Sequence, residues 1–234
     1  ATFNSCVFRQ NSADRGGGMN CTGWSSPVMT GCTFDENAAD DGGGLCIDMT
    51  SQPNLIDCEF SGNTAVSEGA GVFNDQCDST FTDCLFTANA AGERGGGMFS
   101  FVESSPVLNG CLFTDNTADE GAGMYNYYHC TAELYECTFI GNMAGSIGGG
   151  LASTDVSDTL IDHCTFINNS AVDRGGAIWY YFHSNGILDY CIFKENSASS
   201  GGAICCVYNC SPAVEHSQFL HNSAETLGGA VFSD

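Results

Sequence analysis

The side chains with chemistry to offer in this chain are 28 carboxylates, 15 cysteines and five histidines, set against five basic residues. Their spacing decides which chemistry is open. Carboxylates recur just ahead of a glycine run: Asp14, Asp40, Asp41, Glu68, Glu93, Asp119, Glu120 and Asp173, with Glu225 in the last instance. A column of acid oxygens is what Ca²⁺ takes as ligands. Arg15, Arg94 and Arg174 share the same turn, so the acids also read as a solvated, locally balanced edge. The Gly-Gly-x-Gly-x-Asp calcium roll is absent, and no other cofactor is expected. His129, His163, His183, His216 and His221 fall at differing positions of the local pattern. None is paired in sequence with a nucleophile, and no close carboxylate pair interrupts the pattern. The expectation is a protein without catalytic residues.

These groups sit in a strict repeat. The stretch Cys6-x-Phe8-x-x-Asn11-x-Ala13 followed by Gly16-Gly17-Gly18-Met19 returns eight more times, at steps of 26 or 27 residues. The Asn column is Asn11, Asn37, Asn63, Asn89, Asn116, Asn142, Asn169, Asn196 and Asn222. Apolar columns stand three residues before each Cys (or its Ser217 equivalent), at the Phe, and after the glycines. Cys and Phe two apart are on one face of a strand, and helical spacing is not sustained. A repeat this short buries its apolar side only by stacking on its neighbours. The prediction is an all-β parallel β-helix solenoid of about nine coils of 26–27 residues, with three short strands per coil, filling residues 1–234 as one domain. Asparagine tolerates left-handed corners and stacks its amides, so the Asn column reads as a structural ladder. The start and end of the chain lack polar capping coils, which predicts part of a longer protein or a subunit that stacks end to end.

Eight cysteines form one inward column (Cys6, Cys32, Cys58, Cys84, Cys111, Cys137, Cys164, Cys191) and read as packed thiols. The other seven (Cys21, Cys46, Cys77, Cys130, Cys205, Cys206, Cys210) follow the glycines. Bridges such as Cys206–Cys210 or Cys21–Cys46 are expected among them, and an odd total leaves one thiol over.

Phe166/Asn169 with Gly175-Gly176-Ala177-Ile178, and Phe193/Asn196 with Gly201-Gly202-Ala203-Ile204, resemble the repeat of the polymorphic outer membrane protein family and related right-handed β-helix proteins. The resemblance implies right-handed winding and a life at the cell surface or outside the cell. β-Helices also house polysaccharide lyases and glycosidases, so a polysaccharide-binding or polysaccharide-degrading protein is the alternative to a structural or adhesive rod.

With a net charge of −23 the chain lacks the basic footprint that nucleic acid requires. No apolar run is long enough to span a bilayer as a helix. If the residues at the end of each glycine run point inward, Phe73, Phe99, Phe101, Tyr125, Tyr127, Trp179 and Tyr181 point outward. They form a candidate contact face for copies of the chain, other surface proteins or glycans. The sequons at Asn20, Asn168 and Asn209 fit N-glycosylation, which at Asn168 requires an outward side chain beside inward Asn169.

Overall fold

The computed structural model describes all 234 residues as a parallel β-solenoid without a helix. Each coil after the first carries four short strands where the columns predict three, and the first carries three. The Leu sheet runs from Thr2–Asn4 to Ala213–Glu215, and the Phe sheet from Val7–Arg9 to Gln218–Leu220. The added one, here the Ala sheet, runs from Ala38–Asp41 to Ser223–Leu227. The fourth, or elbow, sheet follows the glycines, from Met19–Cys21 to Val231–Ser233. All pairing is parallel, and like residues of the repeat lie side by side, Phe86 between Phe60 and Phe113, with register shifts only in the Ala sheet, as between Ala118 and Glu120.

The interior consists of ladders. Neighbouring rings of the Phe column stack at 4.3–5.1 Å between centroids, with interplanar angles of 2–9°. Asn116 shows how the amides join coils. Its Nδ2 donates to Asn142 Oδ1 at 2.9 Å and to the Phe86 carbonyl at 3.0 Å. Its Oδ1 accepts from Asn89 Nδ2 and from the Asn89 backbone N–H, both at 3.0 Å. Every polar atom of the buried amide is thereby used. The column cysteines pack beside these rings, Cys84 donating to the carbonyls of Thr82 and Leu55.

Two corners of each coil are left-handed even without glycine, as at Asp57 (φ 51°) before Cys58 and Glu36 (φ 53°) before Asn37. Glycine is needed where the Ala sheet meets the elbow sheet. Gly95 sits at φ 63°, and a Cβ there would lie 2.4 Å from the Met98 carbonyl oxygen. One on Gly97 would lie 2.7 Å from the Phe113 ring. The chain therefore folds back sharply, and the outer faces of the two sheets meet in a concave elbow.

Candidate functional site: the elbow and the turn beyond it

The elbow has a small core of its own. Phe73, Phe99, Tyr125 and Trp179 do point outward from the elbow sheet, yet all are buried, in a cluster with Cys46, Ile147, Ala152, Cys205 and Val207. Phe101, Tyr127 and Tyr181 pack against that cluster and are half-buried. The contact face expected from these seven aromatic residues is thus largely internal. Its cover is the residue preceding each glycine run: Arg15, Asp41, Glu68, Arg94, Glu120, Ile147, Arg174 and Ser200, adjacent in register from coil to coil. Arg15 lies over the Phe73 ring at 5.0 Å, and Arg94 over Tyr125 and Tyr127 at 5.7 and 5.6 Å. Arg94 also joins Glu68 at 3.0 Å and Glu120 at 3.2 Å, and Arg15 reaches Asp48 at 2.9 Å. Charge pairing and cation–π contact seal the aromatic residues together.

In coils five, seven and eight the aromatic groups of this arc that meet solvent come one residue later. Tyr128 is 48% exposed, Phe182 45% and Tyr208 61%. They occupy a turn after the elbow sheet in which consecutive residues are left-handed: Tyr128 and His129, Phe182 and His183, Tyr208 and Asn209. Two such residues break the strand alternation and throw both side chains outward. Sequence alternation alone therefore places the face one position early; the paired left-handed turn carried no motif that marked it. Tyr181 contacts Tyr208 edge-to-face at 5.0 Å and Phe182 at 6.2 Å, so the edge is continuous across coils seven and eight. Where that turn enters the Leu sheet, a groove of about 420 Å³ crosses successive coils, lined by Glu133, Asp158, Asn185, Ile187 and Ser211 among others. Its carboxylates already have hydrogen-bond donors. Asp158 accepts from the Asn185 backbone N–H at 2.7 Å, and Glu133 from the Tyr135 hydroxyl at 2.9 Å.

The acids named above for Ca²⁺ part into two sets. Asp41, Glu68 and Glu120 lie in the elbow column beside arginines, whereas Asp14, Asp40, Glu93, Asp119 and Asp173 are exposed. Neither set gathers three donor atoms. Such a gathering occurs elsewhere, at Asp189, Glu215 and His216, whose ligand atoms lie within 4.8 Å of one another. His216 Nδ1 is 2.8 Å from Asp189 Oδ1, and its ring stacks on Tyr190, which stacks on His163. Two carboxylates and an imidazole could together hold a divalent ion.

None of the cysteines is bonded to another. Cys21 and Cys46 stand on opposite faces of the elbow sheet, Cys21 in the main core and Cys46 in the elbow cluster, because they are one register position apart. That geometry overturns the bridge expected between them. Cys206 and Cys210 are both in the main core, with Cys210 Sγ donating to the Val207 carbonyl at 3.1 Å. Burial pushes the Cys130 and Cys206 thiols up to about 12, so they stay protonated and unreactive at neutral pH. Asn20, Asn168 and Asn209 are exposed, and Asn168 faces outward beside buried Asn169.

Residues 1–142 match the family described as the right handed beta helix region. Residues 163–180 and 190–207 match the Chlamydia polymorphic membrane protein repeat. No curated protein and no solved structure matches. The second match falls on the two Phe-Asn-Gly-Gly-Ala units read from the sequence, and right-handed winding follows from the first. With 142 of 234 residues covered by that first model, and coils of parallel strands running the full length, the chain belongs to the right-handed β-helix family.

Proposed function

We propose that this chain is a surface-displayed, non-catalytic adhesive rod that recognises glycans along the turn beyond the elbow sheet. The observation that carries the reading is the exposed edge of Tyr128, Phe182 and Tyr208, each three residues ahead of a residue that lines the groove: Thr131, Asn185 and Ser211. Flat aromatic faces next to fixed amide, hydroxyl and carboxylate groups suit a sugar chain, whose rings present both C–H faces and hydroxyls. The surface location is supported by the membrane-protein repeat at residues 163–207. An adhesive rather than catalytic role is supported by the engagement of Glu133 and Asp158 in hydrogen bonds to their neighbours, which leaves no free acid opposite a free base.

The test is a glycan array probed with the intact chain and with a Tyr128→Gly/Phe182→Gly/Tyr208→Gly variant. Glycine adopts the positive φ of all three positions, so the coil stays intact. The expected result is binding to a subset of glycans by the parent and at least tenfold weaker binding by the variant, with similar melting temperatures. A parent that binds no glycan, or a variant that binds equally well, would sink the reading.

A further inference from the structure

The outer face of the Phe sheet has a long stretch without charge in an otherwise acidic molecule. Side chains on the two residues flanking each Phe leave the sheet on the side away from the core. From Leu85 to Ile192 every such outward position is Leu, Ile or Thr, and all are half-buried. None of the 28 carboxylates falls there. The charges of this face stand at its ends, with Arg9, Asp35 and Glu59 toward the first coil and Lys194 toward the last. Acids return at the exposed corners on either side, as at Asp83, Asp115 and Glu136.

A contiguous apolar strip rimmed by charge marks a protein contact surface. A chain of net charge −23 repels its own copies wherever acids meet, so the strip is where two copies approach without that penalty. Register decides how they fit. A twofold axis along the strands, centred on the strip between Leu112 and Thr138, sets Leu85–Thr87 against Thr165–Ile167 of the second copy. The same axis sets Ile192–Lys194 against Glu59–Ser61, and Lys194 comes level with Glu59 of the second copy. At the corners Asp83 meets His163, Glu136 meets Gly110, Asp115 meets Gly141 and Glu195 meets Gly62, so none of these acids faces an acid. An axis along the rod would instead set each strand against its own copy, with Lys194 beside Lys194 and Glu59 beside Glu59. At about 4.8 Å per coil and about 3.3 Å per residue, the face from Glu59 to Lys194 with its corners projects to about 500 Å². A standard interface buries about 800 Å² per partner, so the contact suits a reversible complex.

We propose that the outer face of the Phe sheet is an interface at which two copies of this chain pair, antiparallel, as a reversible dimer. Residues on one copy meet their twofold-related counterparts on the other, and the contact closes on itself. Pairing leaves the turn of Tyr128, Phe182 and Tyr208 uncovered, because that turn precedes the Leu sheet, and it does not depend on glycan recognition.

Sedimentation equilibrium of the intact chain, from micromolar to millimolar concentration at physiological ionic strength, is expected to show monomer and dimer in exchange. Thr138→Asp places an acid at the centre of the strip. Glu59 stands in the same column, so the coil accommodates a carboxylate at that position. The variant is expected to melt close to the parent and to dimerise at least tenfold more weakly. Lys194 is the only lysine, and a zero-length carbodiimide joins an amine to a carboxylate in contact with it. The dimer is expected to yield a Lys194–Glu59 amide, which cannot form within one chain because the two residues are five coils apart, more than about 20 Å. A chain that stays monomeric throughout, its strip left to solvent or taken by a different partner, would overturn the pairing. So would a dimer undisturbed by Thr138→Asp. A dimer in which Lys194 links only to near neighbours such as Glu195 would overturn the antiparallel arrangement.

Discussion

A single amide shows how much each rung of this solenoid carries. Asn116 donates two hydrogen bonds and accepts two with its side chain, all in a site closed to water. Asn116→Ala leaves the Asn89 donors, the Phe86 carbonyl and Asn142 Oδ1 short of partners, and is expected to destabilise the chain by about 3 kcal/mol or more. Asn116→Asp is near-isosteric and keeps the acceptor. It loses both donations and sets a buried charge against the Phe86 carbonyl and Asn142 Oδ1, so it is expected to cost more than alanine at neutral pH and to recover on acidification. Denaturant unfolding of the two variants at pH 7 and pH 5 checks this. An aspartate variant as stable as the parent would mean that stacking of the coils, and not amide bonding, holds the ladder. At this scale the sequence was highly legible: a residue needed once per coil is visible as a period. Tyr180 was not legible. It points into the main core where other coils carry Asn, Ser, Ile or Cys, and fits because Gly186 leaves room for its hydroxyl, which meets Thr159 Oγ1 at 2.7 Å. That compensation links residues with no shared column.

Among the elements, the Phe and Leu sheets followed directly from their apolar columns, since side chains two apart must share a face. The Ala sheet escaped because only one small inward side chain per strand marks it, as at Ala118 within Thr117–Glu120. The elbow escaped for a different reason. Alternation tells which way a side chain leaves its own sheet, but not that the glycine fold-back brings a second sheet against it. Arg94 tests how far the elbow is a structural unit. Its guanidinium lies between Glu68 and Glu120 and over Tyr125. Arg94→Ala leaves two partly buried acids facing each other without a counter-charge and uncovers an aromatic ring. The expected loss is about 2 kcal/mol at pH 7, below that of a fully buried pair because the groups are partly solvated. Burial pushes the Glu68 carboxyl up, with Arg94 as the opposing influence. Without Arg94 the carboxyl rises further, and part of the loss returns by pH 5. Thermal melts of parent and Arg94→Ala at both pH values measure this; an equal loss at both would place the effect in lost ring packing alone.

For the molecule as a whole, the acid surplus works against the fold at neutral pH. Burial raises the carboxyls of Asp41, Glu68 and Asp75, opposed by Arg15 at Asp41 and by Arg94 at Glu68, while at Asp75 the Asp48 carboxylate adds to the rise ahead of any help from Arg15. A carboxyl whose folded value lies above its unfolded one binds its proton more tightly in the folded state. Its contribution is fully present below the unfolded value and is lost as pH rises through the folded one. Stability is therefore expected to climb as pH falls from 7 toward 5, the region just above ordinary carboxyl values, and the relief of self-repulsion in a chain of net charge −23 acts in the same direction. Salt distinguishes the two contributions. Repulsion among exposed acids such as Asp14, Asp40 and Asp119 is screened over a Debye length of about 8 Å at physiological ionic strength, whereas the cost of burying Glu68 is not. Melting temperature should thus rise on acidification in low salt, and a smaller rise should persist in 1 M salt. A melting temperature that falls between pH 7 and pH 5 would show instead that ionised pairs such as Arg94 with Glu68 and Glu120 outweigh both effects, and that the elbow is held by charge rather than in spite of it.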